Sequence, residues 1–195
     1  MMSNSNQKAL THPSLLWTIG HSIRPIEDFI GLLQPYGITI LADVRTIPFS
    51  RRNPQFNQEV LAKSLENLSV RYQHLPALGG RRKSRPNSIN MGWRNVSFRG
   101  YADYMQASRF WDARDDLMEI GHRLPVAVMC AEAVPWRCHR SLIADALVIR
   151  GWTVKHIISA SSLKTHTLTP FAKLDAGRLT YPTESLSNPT LPFFD

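Results

Sequence analysis

The sequence predicts a three-layer α/β domain, Rossmann-like in plan, with a mostly parallel sheet of about five strands and helices on both faces. Three observations carry this expectation. Short apolar runs alternate with segments of helical period along most of the chain. The apolar runs give way to polar or glycine-containing turns. A length of 195 residues with 43% hydrophobic content suits one domain with a substantial core.

Taken in order, Leu15 to Ile19 reads as a buried strand ended by the turn Gly20-His-Ser22. Pro25 suits a first helical position, and Ile26, Phe29, Ile30 and Leu33 extend a helix to about Tyr36, stopping near Gly37. Ile38 to Ala42 predicts a second strand, closed by Asp43-Val-Arg45. Val60, Leu61, Leu65 and Leu68 mark a second helix, and Val70 to Leu75 alternates as a third strand. From Pro76 to Gly100 no period is sustained, and a loop of that length is functional or disordered. Arg109 to about Gly121 restores a helix, with Phe110, Ala113, Leu117 and Ile120 on one face. Val126 to Met129, Ser141 to Arg150 and Thr153 to Ile158 then read as strand, helix and strand. The expected organisation is a flexible start over 1–13, the α/β domain over 14–162, and a Pro/Thr/Ser-rich tail over 163–195 that packs onto the domain.

Charge narrows the choice of partner. The formal net charge is +8, yet between Asn67 and Ala102 there is no acidic residue. Arg71, Arg81, Arg82, Lys83, Arg85, Arg94 and Arg99 contribute +7 there, leaving +1 for the rest. A basic segment so concentrated points to an anionic small molecule, such as a nucleotide or phosphorylated metabolite, or to nucleic acid. Its other use is a solvated loop that aids solubility. No run approaches the ~18 apolar residues of a membrane span, and the start has no apolar signal centre, so a cytoplasmic setting without a membrane partner is expected. Two cysteines in that setting are expected to be reduced thiols.

In a parallel sheet the strand C-termini share one edge, which would gather the scattered polar residues into one crevice. Both cysteines fall in Cys130-Ala-Glu-Ala-Val-Pro-Trp-Arg-Cys-His-Arg140, between the fourth strand and the helix after it. Cys138 is expected at the N-terminus of that helix, where the dipole and the cations Arg137 and Arg140 favour thiolate. It is either a nucleophile or redox thiol, or a small buried packing residue. His139 is the candidate proton carrier. Cys130, at a strand end, is a structural thiol or a resolving partner. Glu132 is either an acid/base group or the carboxylate that pairs with the arginines. Asp43 is a general base with Arg45 holding an anion, or the two form a self-satisfied pair. His21 and Ser22, at the first turn, join the crevice, as do Gly79, Gly80, Arg81, Arg99 and Tyr101. His21 could equally cap its turn, and Tyr101 could anchor a helix start. Cys130, Cys138, His139, His21 and Glu132 are chemically able to bind a metal, but no CxxC or HxxxH spacing is present and no metal is assigned. No cofactor is indicated.

Together, Thr18-Ile-Gly-His-Ser22, Asp43-Val-Arg-Thr-Ile-Pro48 with Ser50, Leu78-Gly-Gly80, Gly100-Tyr101 and Cys130-Ala-Glu with Cys138-His-Arg140 resemble the DUF488 family, a domain of unknown function. The likeness runs from about Trp17 to Ile158. It implies an α/β fold and makes these motif residues the expected site, without supplying a reaction. A looser likeness to rhodanese-like domains lies in an Asp-x-Arg motif after an early strand and a cysteine after a later one. The loop after Cys130 lacks their compact glycine and arginine pattern, so this analogy concerns the fold. The function expected is an enzyme acting on an anionic substrate. The alternatives are a nucleic-acid-binding module using the basic loop and a metal-dependent enzyme with Cys and His ligands.

Overall fold

The computed structural model describes residues 14–183. Its centre is a six-stranded sheet in the order β3-β2-β4-β1-β5-β6. The strands are β1 (Leu15–Gly20), β2 (Ile40–Asp43), β3 (Arg71–His74), β4 (Val126–Cys130), β5 (Thr153–Ser159) and β6 (Ser162–Thr165). All pairs from β3 through β5 are parallel, and β6 returns antiparallel to β5. The mostly parallel α/β plan is therefore present, with an antiparallel edge strand that the sequence reading did not include.

The helices are α1 (Ile26–Gly31), α2 (Gln58–Glu66), α3 (Val96–Tyr104), α4 (Ser108–Arg123) and α5 (Arg140–Val148). On one face of the sheet, α1 and α2 pack Phe29, Leu61 and Leu65 against Ile19, Leu41 and Met129. On the other, α3, α4 and α5 bring Tyr101, Leu117 and Leu142 onto Leu16, Ala42 and Val128. Strand residues of both faces are apolar because both are covered, as a parallel sheet requires. Each such side chain stabilises the fold by about 1.5–3 kcal/mol when fully buried.

Two elements depart from the sequence reading for local reasons. The first helix ends at Gly31, well before Tyr36, and is followed by a 3₁₀ turn over Gln34–Tyr36. Pro35 lacks an amide proton and disfavours helical geometry at Gln34, which breaks the run. The supposedly aperiodic stretch 76–100 contains the start of α3, capped by Asn95, whose side chain accepts from the amides of Ser97 and Phe98 at 2.9 and 3.3 Å. Beyond residue 162, β6 joins the sheet, and Lys173–Asp175 and Arg178–Thr180 form a separate hairpin. Its turn, Ala176-Gly177, has φ of 45° and 78°, the positive pair that suits hairpin twist. Residues 1–13 and 184–195 lie outside the described residues.

The topology places the site. β1 and β4 are neighbours, yet the helix after β1 covers one face and the helix after β4 covers the other. Beyond the C-terminal ends of β1 and β4 the connections depart toward those opposite faces, the place where open α/β sheets bind ligands.

Candidate functional site

Cys130 ends β4 at that divergence, with its carbonyl accepting the His21 amide at 3.0 Å. The chain then loops through a 3₁₀ turn, Pro135–Arg137, and returns to the sheet edge at Cys138, the residue before the α5 N-cap. This return brings the two cysteines together. The ligating atoms of Cys130, Cys138 and His139 lie within 4.8 Å of one another. Both thiols are buried.

The sulfur of Cys138 receives the Nε–H of Arg140 at 3.3 Å and lies 3.8 Å from Nδ1 of His139. Burial pushes the Cys138 thiol up. The hydrogen bond from Cys130, the contact with His139 and the Arg140 charge outweigh burial and hold it well below the ordinary value. The Cys130 thiol is correspondingly held well above its ordinary value, first by the hydrogen bond with Cys138 and then by burial. The two shifts are opposite, so Cys138 is the more acidic thiol of the pair.

Arg140 explains why the negative charge belongs there. It is 1% exposed, the largest fully buried side chain among the described residues. Its other donors meet the Glu132 backbone carbonyl and, at 3.5 Å, the Thr18 hydroxyl. Among the described residues no carboxylate pairs with it. A buried guanidinium with neutral partners is costly, and negative charge on the Cys138 sulfur offsets that cost.

A hydrogen-bonded chain holds Arg140 from behind. Thr18 Oγ1 meets His156 Nδ1 at 2.7 Å, His156 Nε2 meets His166 Nδ1 at 3.0 Å, and His166 Nε2 meets Asp145 Oδ1 at 2.8 Å. Asp145 accepts, so His166 donates through Nε2. His156 lies between His166 and Thr18, whose oxygen faces Arg140. Burial, and then the charge of His166, lower the His156 pKa to about 3, in keeping with a neutral ring.

His139 is fixed by three contacts. Its Nε2 donates to the Val44 carbonyl at 3.2 Å, its ring lies 4.8 Å from that of Tyr101, and Gly80 passes beneath it. A Cβ at Gly80 would stand 2.8 Å from His139 Nδ1, so a side chain there would displace the imidazole. Gly20 is constrained likewise, since a Cβ would overlap the Glu132 carbonyl.

Asp43 and Arg45 take the self-satisfied form. Arg45 donates to Asp43 through its amide and Nε, each at 2.9 Å, and through Nη2 at 2.6 Å, while Tyr72 donates its hydroxyl at 2.7 Å. The carboxylate is wholly buried. Arg45 still lines the crevice, with Nη1 3.3 Å from His21 Nε2. His21 donates Nδ1–H to the Ser22 carbonyl at 2.8 Å and stacks on Phe56 at 4.2 Å. Burial lowers its pKa to about 4, with the hydrogen bond to Ser22 opposing and Arg45 assisting. His21 is therefore a neutral acceptor toward Arg45.

Two clefts open over the sulfurs. One, of ≈ 290 Å³, runs past His21, Arg45, Thr46, Ser50 and Cys130 to His139, with the exposed side chains of Ile47 and Phe49 on its wall. The other, of ≈ 230 Å³, is lined by Phe98, Tyr101, Arg137 and both cysteines. Gly80, Arg81, Glu132 and His139 border both. Arg81 and Arg137 are exposed cations at these mouths.

The remaining sequence candidates make contacts within the fold. Ser22 pairs its amide with Ala131, Gly79 packs against Thr46, and Arg99 donates twice to the Trp93 carbonyl. The phenol of Tyr101 is spent on the Leu78 carbonyl at 2.8 Å. The Glu132 carboxylate is exposed, and it is the residue's backbone oxygen that binds Arg140, so the side-chain ion pair considered from the sequence does not form. The residues that sequence reasoning missed are Asp145, His156 and His166. A histidine inside the apolar run of β5 was the available signal.

A family model described as "Domain of unknown function DUF488" matches residues 25–147. No curated protein and no solved structure matches the chain.

Proposed function

The chain belongs to the DUF488 family of domains of unknown function, and from that premise we propose that the crevice is the active site of a thiol-dependent enzyme acting on an anionic small molecule. The observation that carries the reading is Arg140: a buried cation, without a carboxylate partner among the described residues, donating to a sulfur at the mouth of a ligand-sized cleft. The surrounding groups divide the work. Arg81 and Arg137 hold the anionic group, Ile47 and Phe49 cover an apolar part of the substrate, and Cys138 attacks the electrophilic atom. A bond forms to sulfur, the bond to the leaving group breaks, and His139, whose Nδ1 lies 3.8 Å from the sulfur, hands the departing group a proton. Clefts of ≈ 290 and ≈ 230 Å³ suit a nucleotide or phosphorylated metabolite better than a nucleic-acid strand.

The test is alkylation of Cys138 as a function of pH, read by mass spectrometry with Cys130 as internal control. Cys138 should react well below the unperturbed ~8.5 and Cys130 should not. Cys138→Ser should abolish turnover of any substrate found while circular dichroism shows the fold retained. A fully active variant would end the thiol role.

One further reading has an observation of its own. Two sulfurs and an imidazole within 4.8 Å are ligand types that zinc accepts, and His139 already donates its distal N–H to a backbone carbonyl, as metal-bound imidazoles do. A metal there would supply Lewis-acid chemistry in place of the thiolate nucleophile. Elemental analysis of protein purified without chelators separates the two: stoichiometric metal supports this reading, and metal-free protein with reactive Cys138 excludes it.

A further inference from the structure

The role of Cys130 is left open by nucleophilic catalysis at Cys138. Its sulfur lies within 4.8 Å of that of Cys138, both cysteines are free, and one cleft reaches them both. A packing residue has no need of that arrangement. We propose that Cys130 is a resolving thiol, and that the pair cycles between dithiol and disulfide with a small hydroperoxide as oxidant and a low-molecular-weight thiol as reductant. The inference rests on the reading of Cys138 as thiolate.

The chemistry balances without any further group. The Cys138 thiolate attacks one peroxide oxygen; the S–O bond forms, the O–O bond breaks, and the alkoxide leaves as alcohol with a proton from His139. Cys138 is now a sulfenic acid. The Cys130 thiol attacks that sulfur; the S–S bond forms, the S–O bond breaks, and water leaves with the Cys130 proton. For reduction, an external thiolate attacks Cys130 and expels Cys138 as thiolate, the better leaving group of the two. A second external thiol then releases Cys130 as thiol and departs as the mixed partner's disulfide.

Burial selects the size of the oxidant. Cys138 is 3% and Cys130 7% exposed, so a protein disulfide has no approach, whereas a small hydroperoxide fits the ≈ 230 Å³ cleft. Cys130 borders both clefts and Cys138 only the smaller, which leaves Cys130 the sulfur more open to the reducing thiol. Arg140 sets the balance between the two states. In the dithiol its charge faces the thiolate; in the disulfide that anion is gone and the guanidinium is buried among neutral groups. The reduced state is thereby stabilised, as it is in strongly oxidising dithiol proteins, and the disulfide is readily reduced.

Trypsin makes the test simple, because it cuts after Arg137 and separates peptide 124–137, with Cys130, from peptide 138–140, with Cys138. Reduced full-length protein is treated with equimolar hydrogen peroxide, blocked with N-ethylmaleimide and digested. The two peptides should appear disulfide-linked, and millimolar glutathione should abolish the link. In Cys130→Ser, dimedone should instead trap a Cys138 sulfenic acid. In Arg140→Met the disulfide fraction at a fixed glutathione ratio should rise about tenfold or more. Unlinked peptides from wild-type protein whose Cys138 is over-oxidised, or still alkylates rapidly at neutral pH, overturn the resolving role and leave the thiolate intact. A Cys138 inert to both peroxide and iodoacetamide overturns both readings.

Discussion

At the scale of single residues, Arg140 has two separable effects. It lowers the pKa of Cys138, and it brings a charge into a region without a carboxylate partner among the described residues. Removing one partner of a buried pair is destabilising, and removing the counter-charge of a thiolate raises the thiol pKa. Arg140→Met should therefore lower the melting temperature, and Cys138 alkylation at about pH 6 should slow roughly tenfold for each pKa unit regained. An unchanged alkylation rate would mean that Cys130 and His139 alone sustain the thiolate. The same reasoning separates Asp43 from Asp145. The first neutralises Arg45 directly; the second reaches Arg140 only through His166, His156 and Thr18.

At the scale of elements, the basic segment before α3 is held by that helix. Asp103 accepts Ser88 Oγ at 2.6 Å, Asn90 Nδ2 and the Arg85 amide at 2.8 Å, and Ser84 Oγ at 3.3 Å. Burial opposes ionisation of this carboxyl, but those hydrogen bonds outweigh it and keep its pKa below the usual value. A depressed carboxylate contributes stability above its unfolded pKa of about 3.9, which is lost as pH falls through the folded value. Asp103→Asn turns an acceptor toward these donors into a donor itself. It should cost about 2 kcal/mol by thermal or urea unfolding and open the stretch 81–94 to trypsin first. Equal protease resistance would show that Arg82, stacked over Tyr104 at 3.7 Å, and Arg99 anchor the segment without it. This element also marks how far sequence reading reached. The α/β alternation and the gathering of His21, Arg45, Gly80, Cys130 and Cys138 at one edge were legible, because period and strand-end position are local properties. The Asp103 staple and the contact of Thr18 with His156, 138 residues apart, were not, because only the tertiary fold decides which buried polar groups meet. Asp43 was legible as a charge at a strand end, but its enclosure by Tyr72 from the neighbouring strand was not.

At the scale of the whole molecule, two buried histidines tie stability to pH. Both rings are neutral in the fold, His21 with a pKa lowered to about 4 and His156 to about 3, mainly by burial. In the unfolded chain each titrates near the ordinary value of 6.5. Between these limits the unfolded state binds more protons than the folded one, so stability is complete above 6.5 and declines as pH falls toward the folded values. The melting temperature should thus drop as pH is lowered from 7 to about 4, before most carboxylates titrate. His156→Gln should flatten that decline, because an amide does not gain a proton, and a second variant, His21→Gln, should flatten it independently, since the two rings lie on different hydrogen-bond networks. Cys138 contributes with the same sign, since its folded pKa is depressed: its stabilisation is present above the unfolded thiol value of about 8.5 and is lost as pH falls through the folded one. The wild-type melting curve should consequently lose stability over a broad span from mildly alkaline to acidic pH. Cys138→Ser should remove the alkaline part of the slope and leave the histidine part. A melting temperature that is flat from pH 8 to 4 in the wild-type protein would contradict the neutral histidines and the buried thiolate together.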